Sequence, residues 1–421
     1  MSVHVEHHGG EQELRDLSRF GPAALVLLVV GLVVLGAALA IGLATHDVRR
    51  LAMGYLTGYA SFLTVSVGAL FFVAVQHLTR AGWSVTVRRL AECMAMNLWT
   101  MLLLFVPILL ALPAIYRWAD ADQVAHDPIL QEKAAWLNPA FWTIRHLLLW
   151  LGPWALMALW YWRHSLRQDR TGEVAITEKL QRNAGLMVVI FAVTVNFGYF
   201  DLLMTLDPHW YSTMFGVYAF AGSFLNFFAV SILVFRFLQW RGLVRQSVRI
   251  EHYHDMGKFM FAFIFFWSYV AFSQWMLMWY ANIPEETVWY ARRGGTTDDV
   301  WQPGVWGAVA LVLLIGHCFI PFASLLSRSA KRRLPILTAF AAWMVVMHFV
   351  DMFWIVMPEV RSNAEQTGVD AGFAKSLLLA VLCWVGVGCV WLAGLFWFAR
   401  QGSLVPLHDP RLPEALSYEV Y

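Results

Sequence analysis

Two aspartates of this chain sit inside apolar runs, each seven residues before a proline. FDLLMTLDP carries Asp201 and Pro208, and VDMFWIVMP carries Asp351 and Pro358. An ionisable side chain at membrane depth costs about 3 kcal/mol or more, so it turns toward neighbouring helices and needs a partner there. Arg145 and His146, near the start of another apolar run, are candidate partners for Asp201. His348 precedes Asp351 by three residues, which puts both on one helix face. A carboxylate beside an imidazole fixes its tautomer, and such a pair can relay protons or simply join two helices. His317, near the middle of its run, can extend this set inward or serve as a packed core histidine. A second set lies in EHYHDMGKF, where His252, His254, Asp255 and Lys258 crowd the start of a helix, with Glu92 and His77 at the ends of two others. This set can form a proton entrance or a solvated helix start.

These residues need helices to hold them, and the composition supplies membrane helices. Of 421 residues 59% are hydrophobic and 14% charged, against roughly 25% charged in soluble domains. A bilayer core about 30 Å thick needs on the order of 20 apolar residues. Ten runs meet that length: roughly 21 to 44, 51 to 78, 93 to 116, 140 to 163, 184 to 204, 211 to 238, 256 to 281, 304 to 327, 335 to 357 and 375 to 399. The sequence therefore predicts an all-α integral membrane protein with ten transmembrane helices, numbered here as spans one to ten. Lysines and arginines concentrate at the N-terminus, in the even-numbered loops (Arg80, Arg88 and Arg89 among them) and in the tail, whereas the odd loops carry acids such as Asp120, Asp127, Glu359 and Glu365. By the positive-inside rule both termini are cytoplasmic. The segment 1–20 then forms a cytoplasmic N-terminal piece and 400–421 a cytoplasmic tail.

Spans two to five and six to nine read as two copies of one four-helix unit, 51–204 and 211–357, with spans one and ten peripheral. Gly54, Ser61, Phe62 and Leu63 stand at one constant offset from Gly216, Ser223, Phe224 and Leu225; WLNPAFW precedes span four and WQPGVW span eight; and the two aspartates keep the same distance to their prolines. Net charge is +2, with no basic field for nucleic acid. Cys93, Cys318, Cys383 and Cys389 form no CxxC or CxxCH spacing, so the chain is expected to hold no iron–sulfur cluster, covalent haem or other metal.

The blocks DLLMTLDPHWYSTMFGVYAFAGSF (201–224) and EHYHDMGKFMFAFIFFWSYVAFSQWMLMWYANIPEETVWYARR (251–293), with the helix count and order, resemble the polysulfide-reductase-like (NrfD-like) membrane subunits of alternative complex III, in particular the second, shorter-tailed copy. The resemblance implies a subunit of a quinol-oxidising respiratory complex in the bacterial inner membrane. Haem c and iron–sulfur clusters would sit in partner subunits: a sister NrfD-like subunit, an iron–sulfur subunit and c-type cytochromes, with a terminal oxidase as a further partner. It also implies a contribution to assembly and to a proton path, carried onto this sequence through Asp201, His252, His254, Asp255 and Lys258. Arg145, His146, His317, His348, Asp351 and Glu92 join that set from burial logic. The alternatives are a subunit that itself binds and oxidises quinol, and a scaffold whose acidic loops dock the partners.

Overall fold

The computed structural model describes residues 21–294, 304–360 and 372–419. The segment 1–20, the first residues of WQPGVW and Glu365 lie outside them. Among the described residues the chain is helical throughout, without a strand. Nine helices there are long and apolar enough to cross a membrane: Gly21–Ala44, Val48–Leu78, Gly82–Leu110, Val174–Leu206, Phe215–Trp240, Ile250–Ala281, Val305–Leu325, Leu334–Val360 and Phe373–Ala399. This is a multi-pass membrane protein.

The run 140–163 is helical too, as consecutive pieces Pro139–Arg145, His146–Leu151 and Gly152–Thr171. It is not among the nine, because Arg145, His146, Pro153 and its tryptophans make it less apolar. Several helices begin earlier than the apolar runs suggest. Span three starts with the helix Val85–Met96, span five at Val174 and span seven at Ile250. In spans three and seven the charged residues of these extensions are paired within the protein, as described below for Arg88, Arg89 and Glu92, whereas in span five Glu178, Lys179 and Arg182 are exposed. Span three also breaks near Phe105 and Ala111, where Pro107 and Pro113 bring no backbone donor.

Spans two and six form the centre. Both are buried along most of their length, and Gly68 lies so close to span six that a Cβ there would come 2.5 Å from the Ser223 carbonyl oxygen. Small residues let membrane helices approach this closely, which matters because lipid supplies no hydrophobic force between them. Span one is mostly exposed and meets span ten where Gly31 abuts Gly386.

Spans four and eight share a distortion. Each contains a six-residue π-helical segment, His146–Leu151 and Leu314–Phe319, and each segment ends two residues before a proline, Pro153 and Pro321. A proline deprives the preceding turn of a donor, and a π-bulge absorbs the mismatch. Each segment carries a buried histidine, His146 in one and His317 in the other.

Candidate functional site

Asp351 and His348 project from span nine into the centre. The side chains of both are fully enclosed. One Asp351 oxygen accepts a hydrogen bond from the Tyr218 hydroxyl of span six, and the other, Oδ2, is buried without a hydrogen-bond partner. Among the described residues no cation pairs with Asp351. Trp267 of span seven closes the site, its ring 5.3 Å from that of Tyr218 and 3.8 Å from that of His317. His348 Nε2 lies 2.8 Å from Thr64 Oγ1 of span two. The Thr64 hydroxyl donates to the Ser61 carbonyl at 2.7 Å, so the imidazole donates through Nε2 and its Nδ1 is the bare acceptor. That Nδ1 has no partner, and neither nitrogen of His317 has one. Gly222 leaves the space: a Cβ there would come 3.5 Å from His348 Nδ1. Buried polar atoms are nearly always satisfied, so several unsatisfied acceptors around one acid mark a place built for protons or water.

Asp201 is placed differently, although its local sequence is so similar. Arg145 grips it with two bonds, Nε to Oδ2 at 2.9 Å and Nη2 to Oδ1 at 2.9 Å. Trp150 donates to Oδ2 at 2.9 Å, and Trp142 donates to the Asp201 carbonyl at 2.9 Å. Arg145 also donates to the Trp136 carbonyl at 2.7 Å and stacks over the Trp136 ring at 4.1 Å. Every charge here is compensated. His146 does not pair with Asp201; it stacks on Trp142 at 4.0 Å and lines, with Tyr59, Trp150 and Tyr199, an interior cavity of about 10 Å³. That is about the space of one water.

The set predicted at the start of span seven divides into two clusters. Asp255 binds Lys258 at 2.5 Å and accepts from the Tyr418 hydroxyl at 2.6 Å. His252 accepts the Arg249 backbone N–H at 3.1 Å, and His254 is buried beside them with Nδ1 unpartnered. Glu92 lies instead with Arg89, at 3.1 Å, and Arg88, at 3.5 Å. Arg89 reaches Asp169 at 2.6 Å, and Arg88 pairs with Asp409. The tail touches both clusters, through Asp409 in one and Tyr418 in the other. His77 belongs to neither and stacks on Tyr161. From Asp255 to Trp267 the buried positions of span seven are Met256, Gly257, Met260 and Ile264, an apolar stretch of about 18 Å. Of the polar residues beyond it, Ser268 bonds back to its own helix and Tyr269 faces outward, while Gln274 is buried between Ser212 and Tyr290.

At the acidic end a charge network ties the loops together. Arg292 bridges Asp207, at 2.7 Å, and Glu359, at 3.3 Å; Glu359 also holds Arg293 at 3.0 Å. His209 joins Asp127, at 2.7 Å, to Asp207. Hydrogen bonding to Asp207, with the charge of Asp127, raises the His209 pKa against partial burial. Burial pushes Asp207 up, but His209 and Arg292 hold it below the ordinary carboxylate value; burial also pushes Asp127 up, but the Leu130 N–H and His209 together lower it. A raised histidine stabilises below its unfolded pKa of about 6.5 and loses this as pH climbs through the folded value; lowered aspartates stabilise above about 3.9 and lose it as pH falls through theirs. The tie is therefore strongest between about pH 4 and 6.5. Hydrogen exchange in the 121–133 loop should quicken above that window in the native chain and show no such step in His209→Gln.

Tyr218, Thr64, Trp267, Tyr418, Asp409 and the Asp207–Arg292–Glu359 network were not singled out by sequence. Arg88 and Arg89, four and three residues before Glu92, carried a usable signal in that spacing. The others are ordinary residues until the packing brings them together. No family model matches the chain, and no curated protein matches it.

Proposed function

We propose that this chain is an NrfD-like membrane subunit of a quinol-oxidising respiratory complex, alternative complex III, and that it provides part of a proton path centred on Asp351 together with a surface for assembly. In this reading ten transmembrane helices form two four-helix bundles, spans two to five and six to nine, with spans one and ten at the periphery and both termini in the cytoplasm of a bacterium. The quoted sequence blocks support the complex. The π segments placed alike before Pro153 and Pro321 support the duplication.

The observation that carries the proton role is the unpaired Asp351 oxygen on the same helix face as the bare His348 Nδ1. A negative charge on Asp351 has only neutral donors, the Tyr218 hydroxyl and the nearby Trp267 indole, and among the described residues no cation, so it is costly and readily takes a proton. Oδ2 and His348 Nδ1 then act as successive acceptors, with Thr64 holding the imidazole by its other nitrogen. Toward the acidic end the same segment continues to Glu359, about 12 Å farther along. The Asp255 cluster forms the opposite half-path, with the tail over its mouth and the apolar stretch of span seven as the barrier between. Quinol and the redox centres belong to the partners: the sister NrfD-like subunit, the iron–sulfur subunit and the c-type cytochromes, with a terminal oxidase beyond them. The cavity beside His146, about 10 Å³ in volume, has no room for a quinol ring, which favours this reading over quinol oxidation in the first bundle.

A tagged chain purified from native membranes should bring c-type haem absorbance with it. In proteoliposomes of that complex, Asp351→Asn should leave electron transfer in place and remove most proton translocation per electron, with recovery in Asp351→Glu. Unchanged proton stoichiometry in Asp351→Asn would end the proton role; purification without haem would end the assignment to the complex.

A further inference from the structure

Where span six ends at Trp240 and span seven begins at Ile250, the chain folds into an open cleft of about 520 Å³ whose lining includes Arg236, Trp240, Arg245, Arg249, Tyr253 and Leu334. No carboxylate lines it. Arg236 donates to the Gln239 side chain at 3.2 Å and Arg245 to the Gln239 carbonyl at 3.0 Å, both neutral acceptors. Among the described residues none of the three arginines forms an ion pair, and Arg249 has two buried guanidinium nitrogens, Nε and Nη2, without an acceptor. Val244, buried under the loop, takes a φ of +46°, a conformation a β-branched residue seldom adopts. After this tight turn Arg245 and Arg249 line the cleft together with Arg236. Three guanidinium groups around one opening call for an anion, and their forked donors suit phosphate oxygens.

The surroundings say which phosphate. The cleft lies at the end of a membrane helix, and its rim is apolar and outward-facing: Trp240 is 72% exposed and Phe237, one turn below, is 38% exposed. Tryptophan at a helix end marks the headgroup level of a bilayer, and basic pockets between helices at that level take anionic lipid. We propose that this cleft binds the phosphate headgroup of an anionic phospholipid, with Arg236, Arg245 and Arg249 on the phosphate oxygens and the acyl chains descending past Phe237. The site is independent of the Asp351 centre and of the respiratory assignment.

The test is native mass spectrometry of the full chain released from nanodiscs containing phosphatidylglycerol and phosphatidylcholine, repeated with inorganic phosphate at millimolar concentration. The native chain should retain phosphatidylglycerol in preference to phosphatidylcholine, and inorganic phosphate should not displace it. The triple variant R236Q/R245Q/R249Q should lose affinity on the order of a hundredfold, as expected for three guanidinium groups near an anionic surface. Arg245→Gln alone, at an exposed position with a single hydrogen bond to the Gln239 carbonyl, should lose about fivefold with little change in melting temperature. Equal retention of the two lipids, or undiminished retention by Arg245→Gln and the triple variant, would overturn the site. Displacement by inorganic phosphate would overturn the lipid assignment.

Discussion

Arg145→Ala should destabilise the protein by about 3–5 kcal/mol, the cost of leaving one member of a buried ion pair without its partner. Asp201 is then enclosed with only Trp150 donating to its side chain, and span four also loses the link from Arg145 to the Trp136 carbonyl. The replacement takes away charge, hydrogen bonds and the stacking on Trp136 at once. The double variant Arg145→Met/Asp201→Leu removes both charges and should recover most of the loss, because a dry apolar pair needs no compensation. Unfolding of the purified chain in mild detergent, followed by circular dichroism, measures both. If the double variant is no more stable than Arg145→Ala, the ion pair is not the source of the effect.

Glu92→Ala should produce a smaller loss, about 1–3 kcal/mol, at the opposite end of the molecule, because each arginine keeps a second carboxylate. Glu92 is the carboxylate between two buried arginines, with Arg88 and Arg89 at 5% and 1% side-chain exposure. Without it, Asp169 and Asp409 remain as the acids for two guanidinium groups packed side by side. The tail, anchored through Asp409, should loosen with the network and become sensitive to protease near 400–419. In the complex proposed above, Glu92→Gln should lower the amount of folded subunit while leaving proton translocation per electron unchanged in what does assemble. A changed stoichiometry at normal abundance would return Glu92 to the path. Asp351 should behave in the opposite way, since among the described residues it has no cation to abandon.

Much of this architecture was legible in the sequence, for reasons that belong to single segments. The cost of placing a residue in lipid is nearly additive along a run, so the apolar stretches from 21 to 399 declared the helices, and a charge within such a stretch stood out because it is rare. The two ends of the chain's loops, one basic and one acidic, were likewise visible in local composition. Helix ends were less legible: Val174 and Ile250 begin their helices before the apolar runs do, because the early charges of span five stay exposed and those of span seven are paired by the tail and by Arg332.

Only the tertiary structure decided what each acid does. FDLLMTLDP and VDMFWIVMP look alike, yet Asp201 is neutralised and Asp351 is not. The difference lies in another helix. Arg145 stands eight residues before Pro153 in span four, and the residue eight before Pro321 in span eight is Leu313. An ion pair depends on which side chain the packing brings within about 3 Å, and residues 56 positions apart in sequence meet only when spans four and five close on each other. Local sequence gave both aspartates the same spacing to a proline, and the packing gave Asp201 the Arg145 guanidinium while among the described residues no cation reaches Asp351.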